Sequence, residues 1–225
     1  QLKNAMRDCC GVHISLPSEV EQRAAEMVAA AAGDLGVKRI SFISGASVAE
    51  ETRAFPMIER KLLAEQAITT SGVPYSILCP TWVMESLPMF VQQGKANALG
   101  KQPYPYHWVA AEDIAAMVVN AYTDGNGQSD RCIVHGPQSI LMLDALKRYI
   151  TIFHPQIKSI SYMPLWLARI MAGLMNDAAF KFAVQMMAYF EKVGEGTMLP
   201  QSGCRLGEPK TTLDEWMTKR KAMQM

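Results

Sequence analysis

A chain of 225 residues, 49% hydrophobic and 19% charged, is long enough for one large domain with a core, or for a domain and a small appendage. Its formal net charge of +1, with no lysine/arginine block, leaves no electrostatic footprint for nucleic acid or an anionic membrane, so neither partner is expected. No apolar run reaches membrane-spanning length and no basic-then-apolar leader opens the chain, which points to the cytoplasm.

In chain order, residues 12–16 form a short apolar run closed by Pro17 and read as a strand. Ser18 then opens a helix to about Ala32, with Glu21 three residues on as a capping box. A second strand spans 39–43 and ends in Ser44-Gly45-Ala46-Ser47. Pro56 starts the next helix, a favoured place for proline, and Ser71-Gly72 ends it. Residues 73–79 are a third strand closed by Pro80, after which Thr81 caps a helix through Phe90. Strand–helix alternation of this kind predicts an α/β fold, a parallel sheet with helices on its faces.

Beyond Gly94 the pattern loosens. It predicts a helix over 112–122, a turn at 124–127, a strand over 131–134, a helix over 143–153 and a strand over 158–162. Two methionine-rich helices, 164–175 and 178–192, precede a Gly/Pro-rich connection and a terminal helix over 212–221, whose charge order suits the helix dipole. The five cysteines, Cys9, Cys10, Cys79, Cys132 and Cys204, are odd in number and include no Cys-x-x-Cys pair. They read as buried free thiols of a reducing compartment. Cys9, Cys10 and His13 lack a second ligand cluster, and no metal is expected.

A parallel sheet of this kind binds nucleotides at the carboxyl ends of its strands, with the pyrophosphate on a glycine turn between a strand and a helix. No glycine pair here has that context. Gly33-x-x-Gly36 comes nearest, but it ends a helix and precedes a strand.

The order of several segments is nevertheless recognisable. Gly36-Val37-Lys38-Arg39-Ile40-Ser41-Phe42-Ile43-Ser44 resembles the fourth-helix exit and fifth strand of NmrA-like, atypical short-chain dehydrogenase/reductases. Pro56-Met57-Ile58-Glu59-Arg60-Lys61 resembles their active-site helix. Ser71-Gly72-Val73-Pro74-Tyr75-Ser76-Ile77-Leu78-Cys79-Pro80-Thr81-Trp82 is similar to the next strand and its cofactor-facing turn. Ala111-Glu112-Asp113-Ile114-Ala115 and Thr211-Thr212-Leu213-Asp214-Glu215-Trp216 are similar to later helix starts. The resemblance implies a Rossmann-like sheet of which residues 12–16 are the fourth strand, with the first strands and the glycine loop lying before Gln1. It divides the chain into an incomplete NAD(P)-binding domain, 1–134, and a smaller, mostly helical, substrate-side region, 135–225.

Met57, Lys61, Ala64 and Ile68 share a helix face at steps of four, three and four. A cation in an apolar stripe needs a partner or a route to water. The resemblance implies that Lys61 hydrogen-bonds the nicotinamide ribose; a snorkelling lysine is the plainer reading. Met57 stands where typical members carry a proton-donating tyrosine, and a thioether has no proton to give; otherwise it is a core residue. Ser44 is a candidate for holding substrate or nicotinamide, or it satisfies the strand end, as Ser47 does.

By the same resemblance Pro80, Thr81 and Trp82 lie against the nicotinamide, where a helix amino terminus offers N–H groups, and Leu16 and Pro17 border the adenine ribose. Trp82, Met84 and His107 are candidates for the substrate side, His107 lying with Tyr106 and Trp108 in a loop. Simple packing and a satisfied loop histidine are the alternatives. The function so implied is hydride transfer from NADPH or NADH to a small apolar acceptor, such as a quinone or conjugated carbonyl. The alternative is a non-catalytic NADP-sensing or binding protein, this chain being inactive alone. Self-association through the open edge of residues 12–14 is also expected.

Overall fold

The computed structural model describes residues 1–123, 127–175, 177–195 and 204–223. The chain begins with a single helical turn, α1 (Leu2–Ala5), then β1 (Gly11–Ile14), α2 (Ser18–Ala32), β2 (Arg39–Ile43), α3 (Pro56–Thr69) and β3 (Tyr75–Pro80). Next come β4 (Trp82–Val83), a 3-10 segment (Met84–Phe90), β5 (Val91–Gln92), β6 (Lys95–Leu99) and β7 (Pro105–Val109). Then follow α4 (Ala111–Thr123), β8 (Asp130–Val134), β9 (Gln138–Leu141), α5 (Met142–Phe153), β10 (Ile160–Met163), α6 (Leu165–Leu174), α7 (Ala178–Val193) and α8 (Leu213–Ala222). Of the expected turn at 124–127, residues 124–126 lie outside the described residues.

Two compact units form, and neither is one stretch of chain. The first takes residues 1–81, 112–135 and 200–209; the second takes 82–111, 136–199 and 210–225. In the first unit β1, β2, β3 and β8 make a parallel sheet in that order, with Val12 opposite Ile40, Ile40 opposite Tyr75 and Ile77 opposite Arg131. It is the expected α/β, Rossmann-like arrangement. β1 lies at its edge, paired among the described residues with β2 alone.

Alternation along the strands puts Ile14, Ile40, Phe42, Ile77 and Cys79 into one core with Ala25, Val28 and Ala32 of α2 and Ala64 and Ile68 of α3. Burying each large member contributes roughly 1.5–3 kcal/mol. The inward row of α2 is Glu21, Ala25, Val28 and Ala32, at steps of four, three and four. That is the spacing of Lys61, Ala64 and Ile68 with Met57 on α3, so each helix carries one charge in its apolar stripe. Met57 itself is half-buried rather than core.

The other sheet face is polar near β1. Tyr122 of α4 donates to Val12 O (2.8 Å), its hydroxyl lies 2.7 Å from Ser41 Oγ, and Ser41 Oγ lies 2.7 Å from His13 Nδ1. The single tyrosine proton is committed to the carbonyl, so Ser41 must donate to Tyr122 and accept from His13, which places a proton on Nδ1. Gly11 permits this approach, since a Cβ there would meet the Tyr122 ring at 2.2 Å.

Burial pulls the His13 pKa below 6.5. Below pH 6.5 the unfolded chain therefore binds a proton more readily than the folded one, and stability falls as pH drops from 6.5 through the folded value. Urea midpoints measured between pH 7.5 and 5 are expected to fall less steeply in His13→Gln than in the wild type. Parallel curves would remove His13 from the account.

The second unit contains two three-stranded sheets, in the orders β10-β6-β5 and β4-β7-β9. β10/β6 and β4/β7 pair parallel, β5/β6 and β7/β9 antiparallel. Most of these strands are absent from the sequence reading. Tyr106, His107 and Trp108 are accordingly not loop residues but the middle of β7, aligned with Ile140, Ser139 and Gln138. Gly136 belongs here because a Cβ would fall 1.5 Å from Trp108 O.

Three further expectations are corrected. Ser18 and Glu21 form no capping box: the N-cap is Pro17, and the Glu21 carboxylate leaves its own helix end for Lys61. Thr81 caps no helix, because Trp82–Val83 pairs as a strand and the 3-10 segment starts only at Met84. Thr81 N and Oγ1 both donate to Val134 O, at 3.0 and 3.2 Å. The thiols are not all free and buried: Cys132 and Cys204 are bridged with Cα atoms 5.8 Å apart, inside disulfide range, and Cys9 and Cys10 are exposed. Only Cys79 is a buried free thiol, its pKa pushed to about 12 by burial. Among the described residues no helix is long and apolar enough to cross a membrane.

Candidate functional site

Parallel pairing puts the carboxyl ends of β1, β2, β3 and β8 on one edge of the first unit's sheet. Leu16 and Pro17 follow β1 there and are exposed, Ser44 follows β2, and Pro80 and Thr81 close β3. The first turns of α2 and α3 begin at the same edge, which brings Glu21 and Lys61 together across the helix seam.

Lys61 Nζ donates to Glu21 Oε2 at 2.8 Å and to Ile43 O at 3.1 Å, and lies 5.2 Å from the centre of the Phe42 ring. The Lys61 side chain is 17% exposed and that of Glu21 2%, so the lysine keeps some contact with solvent while its counter-charge is buried. An ammonium has three protons. Two are taken, and the third has no acceptor among the described residues. Glu21 Oε1 is buried without a hydrogen bond.

Ser44 is placed beside this pair in sequence but serves another network. Its buried hydroxyl donates to Glu65 Oε1. Arg131 of β8 donates to the same carboxylate, 2.8 Å from Nε to Oε2 and 3.3 Å from Nη2 to Oε1, and to Val48 O at 2.8 Å. Neither Glu65 nor Arg131 drew notice in the sequence. Their signal was a second charge in the buried part of α3 and a cation inside an apolar strand.

The second unit holds Trp82, Met84 and His107. Trp82 stacks obliquely on Tyr106 (5.2 Å between centroids) and Trp108 (5.9 Å) and meets Phe190 edge-on at 5.4 Å. The polar tips are satisfied: Tyr106 donates to Gln102 Oε1 at 2.8 Å and Trp108 Nε1 to Ile140 O at 3.1 Å. Burial first, then Glu195 and Glu191, pushes the Tyr106 pKa up, so it stays a neutral phenol. Met84 is buried, and His107 Nδ1 lies 2.6 Å from Glu195 Oε2.

For a dinucleotide, Lys61 fits the sugar: its spare N–H matches a hydroxyl oxygen, which accepts. The described residues do not fit the pyrophosphate. β1 leads to α2 through Leu16 and the N-cap Pro17, α3 starts after Phe55, and no glycine turn joins a strand to a helix start.

Residues 1–125 match a family described as NAD(P)H-binding. An NAD(P)H azoreductase of Xenophilus azovorans is 28% identical over 130 residues, 56% of this chain and 44% of that protein, so the chain spans less than half of that relative's length. The NADPH complex of an Escherichia coli quinone oxidoreductase is similar in fold (TM-score 0.70, 20% identity, 98% of this chain and 79% of that one). So is the NADP(H) complex of a Citrobacter triphenylmethane reductase (TM-score 0.70, 18% identity, 97% and 79%). A leucoanthocyanidin reductase of Vitis vinifera is similar as well (TM-score 0.74, 12% identity, 98% and 82%). With more than half its length matched, the chain belongs to the family described as NAD(P)H-binding.

Proposed function

We propose that the chain acts as an NAD(P)H-dependent reductase delivering hydride to a small apolar acceptor, a quinone or conjugated carbonyl. The carrying observation is Lys61, fixed by Glu21 and Ile43 O at the strand ends with one proton left to give. When bound, the reduced nicotinamide supplies the hydride, and the protein supplies orientation. Lys61 donates to the nicotinamide ribose. Pro80, Thr81 and Trp82 bound the ring, with Ser44 beside it, and Leu16 and Pro17 border the adenine ribose. On the substrate side Trp82 and Met84 offer apolar surface and His107 a polar group. The names of the azoreductase, quinone oxidoreductase and triphenylmethane reductase relatives support an acceptor of this class. The open β1 edge is a further proposed site of self-association.

The second reading is a binding protein without turnover. It is favoured by Met57, which has no proton to donate, and by the engagement of the Ser44 hydroxyl with Glu65. Nicotinamide fluorescence is expected to report NADPH binding, and Lys61→Met to weaken it at least about tenfold, the worth of one charge-assisted hydrogen bond. NADPH oxidation against a panel of quinones, azo dyes and conjugated carbonyls separates the readings. Binding with no turnover on any acceptor sinks the reductase.

A further inference from the structure

Glu21 is more deeply buried than the lysine it serves, and its placement is unusual for a helix start. A glutamate in the first turn ordinarily folds back on its own helix end or points to water. Here it points across to α3, gives Oε2 to Lys61 and keeps Oε1 buried and unpartnered. An ion pair that served packing alone would be replaceable by apolar side chains, and the empty acceptor would be a plain loss. Lys61 is held on three sides, by Glu21, the Ile43 carbonyl and the Phe42 ring, which leaves its remaining proton one direction.

We propose that Glu21 is the positioning residue for Lys61, holding its free N–H for a sugar hydroxyl. The pair carries no net charge, so it has little to offer a phosphate. It presents one spare N–H, which Lys61 donates to the hydroxyl oxygen. This rests on the reading that a nucleotide binds at this sheet edge, its ribose being the hydroxyl source.

The test uses wild type, Glu21→Gln and the double variant Glu21→Leu/Lys61→Met, with three measurements: the acylation rate of Lys61 by peptide mass spectrometry, NADPH affinity and melting temperature. Glu21→Gln is expected to speed Lys61 acylation at least tenfold, by freeing the amine, and to weaken NADPH binding at least tenfold. The double variant is expected to melt within a few degrees of wild type yet bind NADPH as weakly as Lys61→Met. If it does not melt cooperatively, Glu21→Gln decides alone. Unchanged acylation in Glu21→Gln, or wild-type affinity in the folded double variant, overturns the proposal. A wild-type chain that binds no NADPH overturns the reductase reading and the ribose assignment together, while acylation still decides whether Glu21 holds Lys61.

Discussion

Glu65→Ala is expected to lower the unfolding free energy by about 3 kcal/mol, near the lower end of the range for breaking a buried ion pair. The carboxylate is 10% exposed and takes bonds from two elements besides its own helix: Arg131 on β8 and Ser44 after β2. Removing it strands a guanidinium and a hydroxyl at once. The loss is held below the upper end of the range because the Arg131 side chain is 34% exposed and keeps its bond to Val48 O. A second removal identifies the cause. Glu65→Ala/Arg131→Met is expected to recover to within about 1 kcal/mol of wild type, since an apolar pair replaces a half-broken one. Urea unfolding followed by circular dichroism measures both. A loss below about 1 kcal/mol in the single variant would mean that water replaces the carboxylate freely.

Reduction of the Cys132–Cys204 bridge is expected to cost about 2–4 kcal/mol. The bridge closes 72 residues of chain, so its removal restores considerable freedom to the unfolded state. It also fastens a short return segment to the first unit, where Leu206 is fully buried and Asn120 Nδ2 donates to Leu206 O at 2.9 Å. Arg205 Nε donates to Asp130 Oδ1 at 3.0 Å and Nη2 to Gln128 O at 2.9 Å in the same segment. Melting with and without dithiothreitol should therefore differ by several degrees in wild type and not at all in Cys132→Ala/Cys204→Ala. Thiol titration of the denatured, unreduced protein should find three thiols of the five cysteines. Five thiols and coincident melts would leave the bridge without support.

Much of the first unit was readable as a string because its signals are local. β2 ran over the expected residues, and α2 and α3 began at the expected residues. Those features depend on periodicity and on contacts within four residues. The strands of the second unit escaped because they are two to five residues long and depend on pairing with distant chain, as β7 does with β9. The same distance hid the disulfide, the Glu65–Arg131 pair 66 residues apart, and the Ser18 box that Lys61 dissolved.

Lys61 shows where the division falls. The sequence by itself determined that a cation interrupts the apolar stripe of α3 and that the apolar stripe of α2 carries Glu21. It did not determine that the two meet. Residues 40 apart come within 2.8 Å only because parallel β1 and β2 set both helices on one sheet face, with their first turns at one edge. Propensity is settled by neighbours along the chain, whereas the partner of a buried charge is settled by packing, because only the folded core removes the water that would otherwise satisfy it.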